Sequence, residues 1–110
     1  MTKRDIGRFG EAIAAVFLQR QGLVIIDRNV RIRRGEVDIL ADDGDCRVVV
    51  EVKTVAGRTV SIPEDAFTDE KARTVRRLAS ELRPRARRVD LVAVSLIDSG
   101  ARVRWLRAIA

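Results

Sequence analysis

The sequence predicts a single α/β domain with the element order αβββαββ. Two segments carry apolar residues at helical spacing, five shorter segments are rich in valine, isoleucine and leucine, and turn residues separate them. At 110 residues the chain is large enough for one hydrophobic core and too short for two. We therefore expect one domain over residues 1–110, in which a sheet is flanked by helices.

The first predicted element is a helix over residues 3–21, which Gly22 ends. A stripe of apolar residues at helical spacing is expected to face the core. This stripe consists of Ile6, Phe9, Ile13, Val16 and Phe17. Because residues 12–18 are apolar on every side, we also expect a second covered face. Glu11 lies across from the stripe and is either solvated or a partly buried carboxylate.

Three strands are predicted after this helix. They cover residues 23–27, 36–41 and 47–54. An alternating segment, 28–34, follows the first strand, and Asp42-Asp43-Gly44-Asp45 is typical of the turn of a β-hairpin between the second and third. Residues 55–62 are predicted to form a loop, and residues 61–64 can begin a helical turn with a capping box.

One helix and two strands are predicted in the rest of the chain. Thr68 is a suitable N-cap, Asp69 and Glu70 suit the first turn, and Pro84 prevents continuation of the helix. The expected buried residues are Ala72, Val75, Leu78, Ala79 and Leu82, and the expected outward residues are Lys71, Arg73, Arg76 and Arg77. The last strands cover residues 89–96 and 102–109, the latter at an edge. A helical connection favours parallel third and fourth strands, hence a mixed sheet.

The predicted hairpin carries charged side chains at alternate positions. Glu36 and Asp38 share one face of the second strand, and Glu51 and Lys53 share one face of the third. An even-length turn centred on Asp43-Gly44 would place Glu36 opposite Glu51, with Asp38 diagonal to it. Directly opposed like charges destabilise a sheet, and a divalent cation would compensate them. Hard oxygen ligands favour Mg²⁺ or Mn²⁺ over zinc.

The opposite face of the hairpin is uniformly apolar and is predicted to belong to the core. Its residues are Val37, Ile39, Ala41, Val48, Val50 and Val52. A hairpin with one solvated acidic face is the simpler interpretation. The convergence of the acids favours a catalytic site instead, since the Lys53 ammonium could position a water or stabilise a developing oxyanion there.

Composition excludes several classes of catalysis. The chain has no histidine and no tyrosine, which rules out histidine-dependent triads, histidine-ligated zinc and a tyrosine nucleophile. Its single cysteine, Cys46, permits neither an internal disulfide nor a cysteine-rich zinc site. No glycine-rich nucleotide-binding pattern is present. Hydrolysis would therefore depend on carboxylates, lysine, hydroxyl groups and a metal.

Charge is distributed unevenly along the chain, whose net charge is +6. Residues 1–70 contain 11 basic and 13 acidic residues, whereas residues 71–110 contain 11 basic and 3 acidic ones. A basic half beside an acidic pocket suits a polyanion that is held by one surface and cut at another. The alternative is that the arginines only provide solubility. With no signal-peptide pattern and no bilayer-length apolar run, the cytoplasm is the expected location and no membrane partner is expected.

These motifs resemble a known group of proteins. Asp38, followed after twelve intervening residues by Glu51-Val52-Lys53, resembles the PD-(D/E)-x-K signature of the restriction-endonuclease-like superfamily. Glu11 is similar to the helix-borne acid of the branch that contains archaeal Holliday-junction resolvases. Almost the whole chain resembles the YraN-like family of small bacterial proteins. The matching segments are Gly10-Glu11-Ala12, Arg28-Asn29, Gly35-Glu36-Val37-Asp38, Val50-Glu51-Val52-Lys53-Thr54, Thr68 with Lys71, and Val89-Asp90-Leu91-Val92-Ala93-Val94. Val37 replaces the proline of the signature, and Val30 stands where a tryptophan is expected.

The resemblance implies a restriction-endonuclease-like core and its metal site, but no particular substrate. Asp38 and Glu51 would bind Mg²⁺ or Mn²⁺ with the Val52 carbonyl, Lys53 would orient the attacking water, and Glu11 would take a metal-bound water or a second metal. Glu36 could reach the metal through a water or form a salt bridge. Phosphate contacts are expected from Arg31, Arg33, Arg34, Lys71, Arg73, Arg76 and Arg77, although a solvated helix residue is the favoured description of Lys71.

Three functions compete at this point. The first is a metal-dependent endonuclease that hydrolyses phosphodiester bonds in DNA, including branched or otherwise structured DNA. The second is a nucleic-acid-binding module that has the nuclease fold without significant catalysis in the cell. The third is a basic adaptor for a protein partner, which no sequence feature favours. The sequence leaves open the preferred substrate, the number of metals and whether the chain forms a homodimer.

Overall fold

The computed structural model describes residues 1–56 and 68–110 and contains the predicted order of elements. The helices are α1 (Lys3–Arg20) and α2 (Asp69–Glu81), and the strands are β1 (Val24–Ile32), β2 (Gly35–Asp42), β3 (Arg47–Ala56), β4 (Arg88–Ile97) and β5 (Gly100–Leu106). The predicted α/β fold class is confirmed. β3 extends into the predicted 55–62 loop, and the rest of that loop, like the capping box at 61–64, lies outside the described residues.

All five strands form one mixed sheet in the order β1-β2-β3-β4-β5. Neighbouring strands are antiparallel except for β3 and β4, which are parallel, as the connection through α2 predicts. β5 is an edge strand, as predicted. β1 is longer than predicted, because it includes most of the alternating segment after residue 27.

The two helices cover opposite faces of the sheet, so the hydrophobic core of the domain consists of two layers, which we call the α1 core and the α2 core. α1 packs through Ala14 and Leu18 against a core that includes Ile39, Val50 and Val92. α2 packs on the other face against Val37, Leu40, Val49 and Val89, through Val75, Leu78 and Ala79. Burying one such valine or leucine side chain contributes roughly 1.5–3 kcal/mol, so both helices are held mainly by these contacts. No described helix is both long and apolar enough to cross a membrane.

The buried face of α1 differs from the predicted stripe. Phe9 and Val16 are 51% and 48% exposed, whereas Gly10, Ala14 and Leu18 are buried. A Cβ atom at residue 10 would lie 1.9 Å from Thr54 Oγ1, so only glycine allows α1 to approach β3 this closely. The prediction was wrong for Phe9 and Val16, because the helix turns Gly10, Ala14 and Leu18 towards the sheet. Ile13 and Phe17 of the predicted stripe are partly buried against the same core. Glu11 is half-buried on this side of the helix.

The hairpin turn consists of residues 43–46, and its position corrects the predicted register. The Asp43 N–H donates to the Cys46 carbonyl, and Asp43 Oδ1 accepts from the N–H groups of Asp45 and Cys46. Asp42 is therefore paired with Arg47 as the first pair of the hairpin. The turn is even in length, as predicted, but it is centred one residue later than Asp43-Gly44.

This shift changes which acids face each other across the hairpin. The β2–β3 pairing ends with Ile39 opposite Val50, and one further step along the same register brings Asp38 opposite Glu51. The predicted pairing of Glu36 with Glu51 is wrong, because moving the turn centre by one residue moves the cross-strand partner by two. Glu36 is paired with Arg31 of β1 instead.

The alternation of side chains along β2 breaks at Asp38. Val37 packs in the α2 core and Ile39 in the α1 core, although residues two apart in a regular strand share a face. The predicted uniform apolar face is therefore wrong at Val37. The break coincides with the end of the β2–β3 pairing, beyond which β2 is free to twist away from β3.

A buried carboxylate fixes the segment that follows β5. Asp90 is completely buried and accepts hydrogen bonds from the Arg88 guanidinium, Trp105 Nε1 and the Ala108 N–H. Arg88 also forms an ion pair with Asp43 of the hairpin turn. These bonds satisfy the buried charge and bind β4, β5 and the hairpin turn together.

Candidate metal and nucleic-acid site

The site is built around two neighbouring carboxylates, Asp38 of β2 and Glu51 of β3. Asp38 Oδ2 accepts a hydrogen bond of 2.9 Å from the Val52 N–H, which fixes the aspartate beside β3 where the backbone pairing has ended. Glu51 is 8% exposed, and its Oε1 atom is buried with no hydrogen-bond partner among the described residues. A buried carboxylate oxygen without a donor is costly, so a proton shared with Asp38, a water or a cation is needed to compensate it.

Both carboxylates line an open cleft of about 720 Å³. Glu11, Lys53 and Lys71 line the same cleft, and so does Thr54, whose buried Oγ1 also has no hydrogen-bond partner among the described residues. The two residues that carry these atoms therefore line one cavity, although Thr54 Oγ1 itself lies against Gly10 of α1. Ordered water, an ion or a substrate group in the cavity would satisfy Glu51 Oε1.

Burial and mutual repulsion raise the proton affinity of the acids. Burial, followed by the charge of Asp38, raises the pKa of Glu51 to about 8. The pKa of Asp38 is also raised, mainly by burial, although the Val52 hydrogen bond and the Lys71 charge oppose the shift. Burial and the Asp38 charge raise the pKa of Glu11 as well. A divalent cation would favour the ionised forms of all three groups.

Asn29 joins Glu11 to Glu36. With its amide nitrogen turned towards the carboxylates, Asn29 donates to Glu11 Oε1 and to Glu36 Oε1, both at 2.9 Å. Its φ angle of 54° is in the left-handed region, which asparagine tolerates better than most residues. These three residues and Asp38 line a second cleft of about 620 Å³ that also contains Arg4, Arg8 and Arg31. The acids are thus bordered by arginines on one side and by lysines on the other.

Lys71 lies at the acids rather than on the outer face of α2. Its charge lowers the pKa of both Asp38 and Glu51, whereas burial raises them. Lys71 lies on this side of the helix because Val75, Leu78 and Leu82, which are buried, follow it at i+4, i+7 and i+11. Residues at this spacing share one face of a helix. Lys53 is exposed on β3 and lines the same cleft.

The predicted phosphate-binding arginines do not form one group. Arg31 lines the cleft beside the acids, while Arg33 and Arg34 form the β1–β2 turn. The Arg33 carbonyl accepts from Arg77, which also forms an ion pair of 3.2 Å with Glu81. Two others, Arg73 and Arg76, are exposed on α2. Their contribution to nucleic-acid binding stays a prediction.

The chemistry of the donors fits a hard divalent cation, although the described residues do not form a closed metal cage. In residues 1–56 and 68–110 no group of three or more Asp, Glu or Cys side chains is arranged to hold a metal ion. The fit instead rests on Asp38, which is half-buried, and Glu51, which is buried. The two carboxylates repel each other, and Glu51 has one oxygen without a partner among the described residues. Carboxylate oxygens are the protein ligands that Mg²⁺ and Mn²⁺ prefer, and either ion keeps several waters to complete its coordination.

Sequence reasoning missed the bridging role of Asn29 and the position of Lys71. The spacing of Lys71 from the three buried α2 residues was the available signal for the lysine. For Asn29 the signal was weaker: asparagine within a strand-like segment indicates a residue that can adopt positive φ.

Fold and site together define an α/β protein in which a five-stranded mixed sheet carries two neighbouring carboxylates, one buried and one half-buried, beside two lysines. The sequence profile of the uncharacterised protein family UPF0102 matches residues 10–94. The chain belongs to this family, and the resemblance to YraN-like proteins is thereby confirmed.

Relatives from several bacteria share this assignment over most of their length. A UPF0102 protein of Arthrobacter sp. is 45% identical over 119 aligned residues, which cover 99% of both chains. A UPF0102 protein of Leifsonia xyli is 46% identical over 101 residues, or 86% of each chain. One of Symbiobacterium thermophilum is 51% identical over 77 residues, which cover 70% of this chain and 65% of the relative.

Proposed function

We propose that this protein is a metal-dependent endonuclease that hydrolyses phosphodiester bonds in DNA. The observation that carries the proposal is the unpartnered Glu51 Oε1 beside Asp38. Two adjacent carboxylates, one buried and one half-buried, destabilise the fold unless a cation or a proton compensates them, and such uncompensated acids are typical of functional sites. The basic side chains around them suit a polyanionic substrate.

Asp38 and Glu51 would hold Mg²⁺ or Mn²⁺. A bound divalent cation supplies positive charge to the phosphoryl oxygens as negative charge develops on them. Asp38 keeps its position through the Val52 N–H, so its orientation does not depend on the substrate. Glu11, held by Asn29, extends the acidic surface towards the second cleft and could orient a water there.

Two lysines of the cleft, one on β3 and one on α2, would assist the hydrolysis. Lys53 of β3 donates to the attacking water or to a phosphoryl oxygen in this mechanism. Lys71 of α2 contributes a second positive charge and opposes protonation of Asp38 and Glu51. Charges already fixed in place before the reaction stabilise the transition state without reorganisation.

The second candidate is a nucleic-acid-binding module that does not cleave. Two observations favour it: no closed set of three metal-binding side chains is present in the described part of the chain, and the pKa of Glu51 is about 8. A Glu51 that keeps its proton at neutral pH would leave the pair with a single charge and a weaker attraction for a cation. Residence in the cytoplasm and homodimer formation stay predictions for both candidates.

Incubation of the purified protein with linear, branched and single-stranded DNA in Mg²⁺ or Mn²⁺ tests the two candidates. We expect cleavage by the wild type and none by Asp38→Asn or Glu51→Gln, with all three proteins binding DNA. Binding without cleavage by the wild type would favour the second candidate. Cleavage that persists in both variants would contradict the site.

A further inference from the structure

A second basic cavity lies at the opposite end of α2 from the acids. It has a volume of about 470 Å³, and Arg76, Arg85 and Arg87 line it. Below these side chains, the buried residues Ala79, Ala86 and Val89 form an apolar floor. We call this cavity the arginine groove and define it by its three arginines. All three are exposed, so their guanidinium groups are accessible to a ligand.

Neighbouring arginines have partners among the described residues, and those of the groove have none there. Arg77 pairs with Glu81, Arg83 donates to the carbonyls of Ser80 and Leu82, and Arg88 pairs with Asp43 and Asp90. By contrast, Arg76, Arg85 and Arg87 make no side-chain hydrogen bond or ion pair within residues 1–56 and 68–110. No Asp or Glu of that part of the chain lines the groove.

We propose that the arginine groove binds backbone phosphates of the nucleic acid whose phosphodiester bond lies at the acidic cleft. This inference rests on the proposed function. A guanidinium group is a planar fork that binds phosphate oxygens through two parallel hydrogen bonds. Three such groups around one cavity, with no side-chain partner in the described part of the chain, are suited to a chain of phosphates. Contacts of this kind position the nucleic acid without reading its sequence.

The separation between groove and acids matches a short length of nucleic acid. Lys71 lines the acidic cleft and Ser80, nine residues later on α2, lines the groove. At about 1.5 Å per helical residue, these positions are about 14 Å apart along the axis.

The strands give a similar distance. Leu91, which pairs with Glu51, follows the groove residue Arg87 by four residues, or about 13 Å at roughly 3.3 Å per residue. A DNA strand advances about 3.4 Å per nucleotide along the helix axis, so the groove contacts the backbone about four nucleotides from the bond at the acids.

Binding of a labelled 20-base-pair duplex, followed by fluorescence anisotropy at several salt concentrations, tests the groove. The variant is Arg85→Gln with Arg87→Gln, and the matched control is Arg102→Gln with Arg104→Gln, which removes the same charge from the exposed face of β5. We expect the groove variant to bind at least about tenfold more weakly at low salt and its salt slope to fall by about two, because each phosphate contact contributes about 0.9 to that slope. The control should change affinity less than about threefold.

The outcomes separate this proposal from the proposed function. Equal losses of affinity in the groove variant and the control, or no loss in either, would overturn the groove while leaving the nuclease proposal intact. A wild type that neither binds nor cleaves DNA would overturn both.

A parallel titration with inorganic tripolyphosphate distinguishes a site for free polyphosphate. If tripolyphosphate binding depends on Arg85 and Arg87 while the groove variant keeps the DNA affinity of the wild type, the nucleic-acid assignment is rejected. Circular dichroism and thermal unfolding of each variant verify that the fold is retained.

Discussion

The Asp38 carboxylate replaces a backbone acceptor for the Val52 N–H. The bond between Asp38 Oδ2 and the Val52 nitrogen is 2.9 Å long and lies beyond the last backbone pair of β2 and β3. It satisfies a donor that the separation of the strands would otherwise leave unpaired. It also holds the aspartate beside Glu51. The separation of β2 from β3 at this point therefore both ends the hairpin pairing and forms the acidic site.

Replacing Asp38 should therefore affect stability in a way that depends on the replacement. Asp38→Asn keeps an oxygen that can accept from Val52, whereas Asp38→Ala leaves the N–H unpaired at a cost of about 1–3 kcal/mol. We expect Asp38→Ala to be less stable than Asp38→Asn by that amount in urea denaturation without metal. Both variants remove the same charge, so equal stabilities would contradict the role of this hydrogen bond.

Metal binding should raise the melting temperature of the wild type. Mg²⁺ or Mn²⁺ would bind the folded state and not the unfolded chain. A metal concentration of 100 times the dissociation constant therefore adds about 2.7 kcal/mol to the free energy of unfolding. We expect Asp38→Asn and Glu51→Gln to lose this shift and the exposed control Asp98→Asn to keep it. A shift of equal size in Asp38→Asn and the wild type would remove Asp38 from the proposed ligands.

The raised pKa of Glu51 predicts that stability without metal falls as pH rises. A carboxyl group whose pKa is about 8 in the folded state and near 4.5 in the unfolded chain binds more protons when folded between these values. Its stabilising contribution is complete below pH 4.5 and is lost as pH rises through 8. The raised pKa values of Asp38 and Glu11 act in the same direction.

Urea unfolding between pH 5 and 9 measures this dependence. Glu51→Gln, which is neutral throughout, should have a flatter profile than the wild type, with a difference of a few kcal/mol across the range. Added Mn²⁺ should stabilise the wild type more at pH 8.5 than at pH 6, because the metal competes with the proton for the carboxylate. Parallel profiles for wild type and variant would indicate that Glu51 is not the titrating group.

The two lysines should have separable effects. Lys53→Met removes an exposed charge and keeps most of the stem, so we expect a rate of cleavage about a hundredfold lower with little change in stability. Lys71→Met should also reduce the stability at pH 8, because its charge favours the ionised forms of Asp38 and Glu51. Single-turnover cleavage and thermal unfolding, measured on both variants, test these expectations. Undiminished cleavage by Lys53→Met would defeat its role in the mechanism.

Asn29 should stabilise the pair of Glu11 and Glu36. Asn29→Gly can keep the positive φ angle but removes the amide that donates to both carboxylates. We expect a loss of about 1–2 kcal/mol at pH 8 and a smaller loss at pH 4, because burial raises the pKa of Glu11 and this carboxylate takes up a proton as pH falls. Asn29→Ala should lose more, because alanine adds the strain of a left-handed conformation. Wild-type stability of Asn29→Gly at pH 8 would show that the bridge contributes nothing.

Sequence by itself determined the order of elements, the helix ends and the choice of acids. Thr68 accepts from the Lys71 N–H as the predicted N-cap, and Pro84 follows the end of α2. These features depend on neighbouring residues, whose hydrogen bonds and fixed φ angles act locally. The spacing from Asp38 to Glu51 and Lys53 likewise identified residues that meet in one cleft, because they occupy consecutive strands of a hairpin.

Only the tertiary structure decided how these elements meet. In the observed register of the hairpin, Asp43 forms an ion pair with Arg88 of β4, a contact that the turn sequence does not reveal, and a change of one residue in the turn replaced Glu36 with Asp38 opposite Glu51. α1 offered apolar residues on every side, so its buried face depended on where Gly10 allowed contact with Thr54. The bridge from Asn29 to Glu11 joins residues far apart in the chain, and their contact required both α1 and β1 to be packed on the sheet.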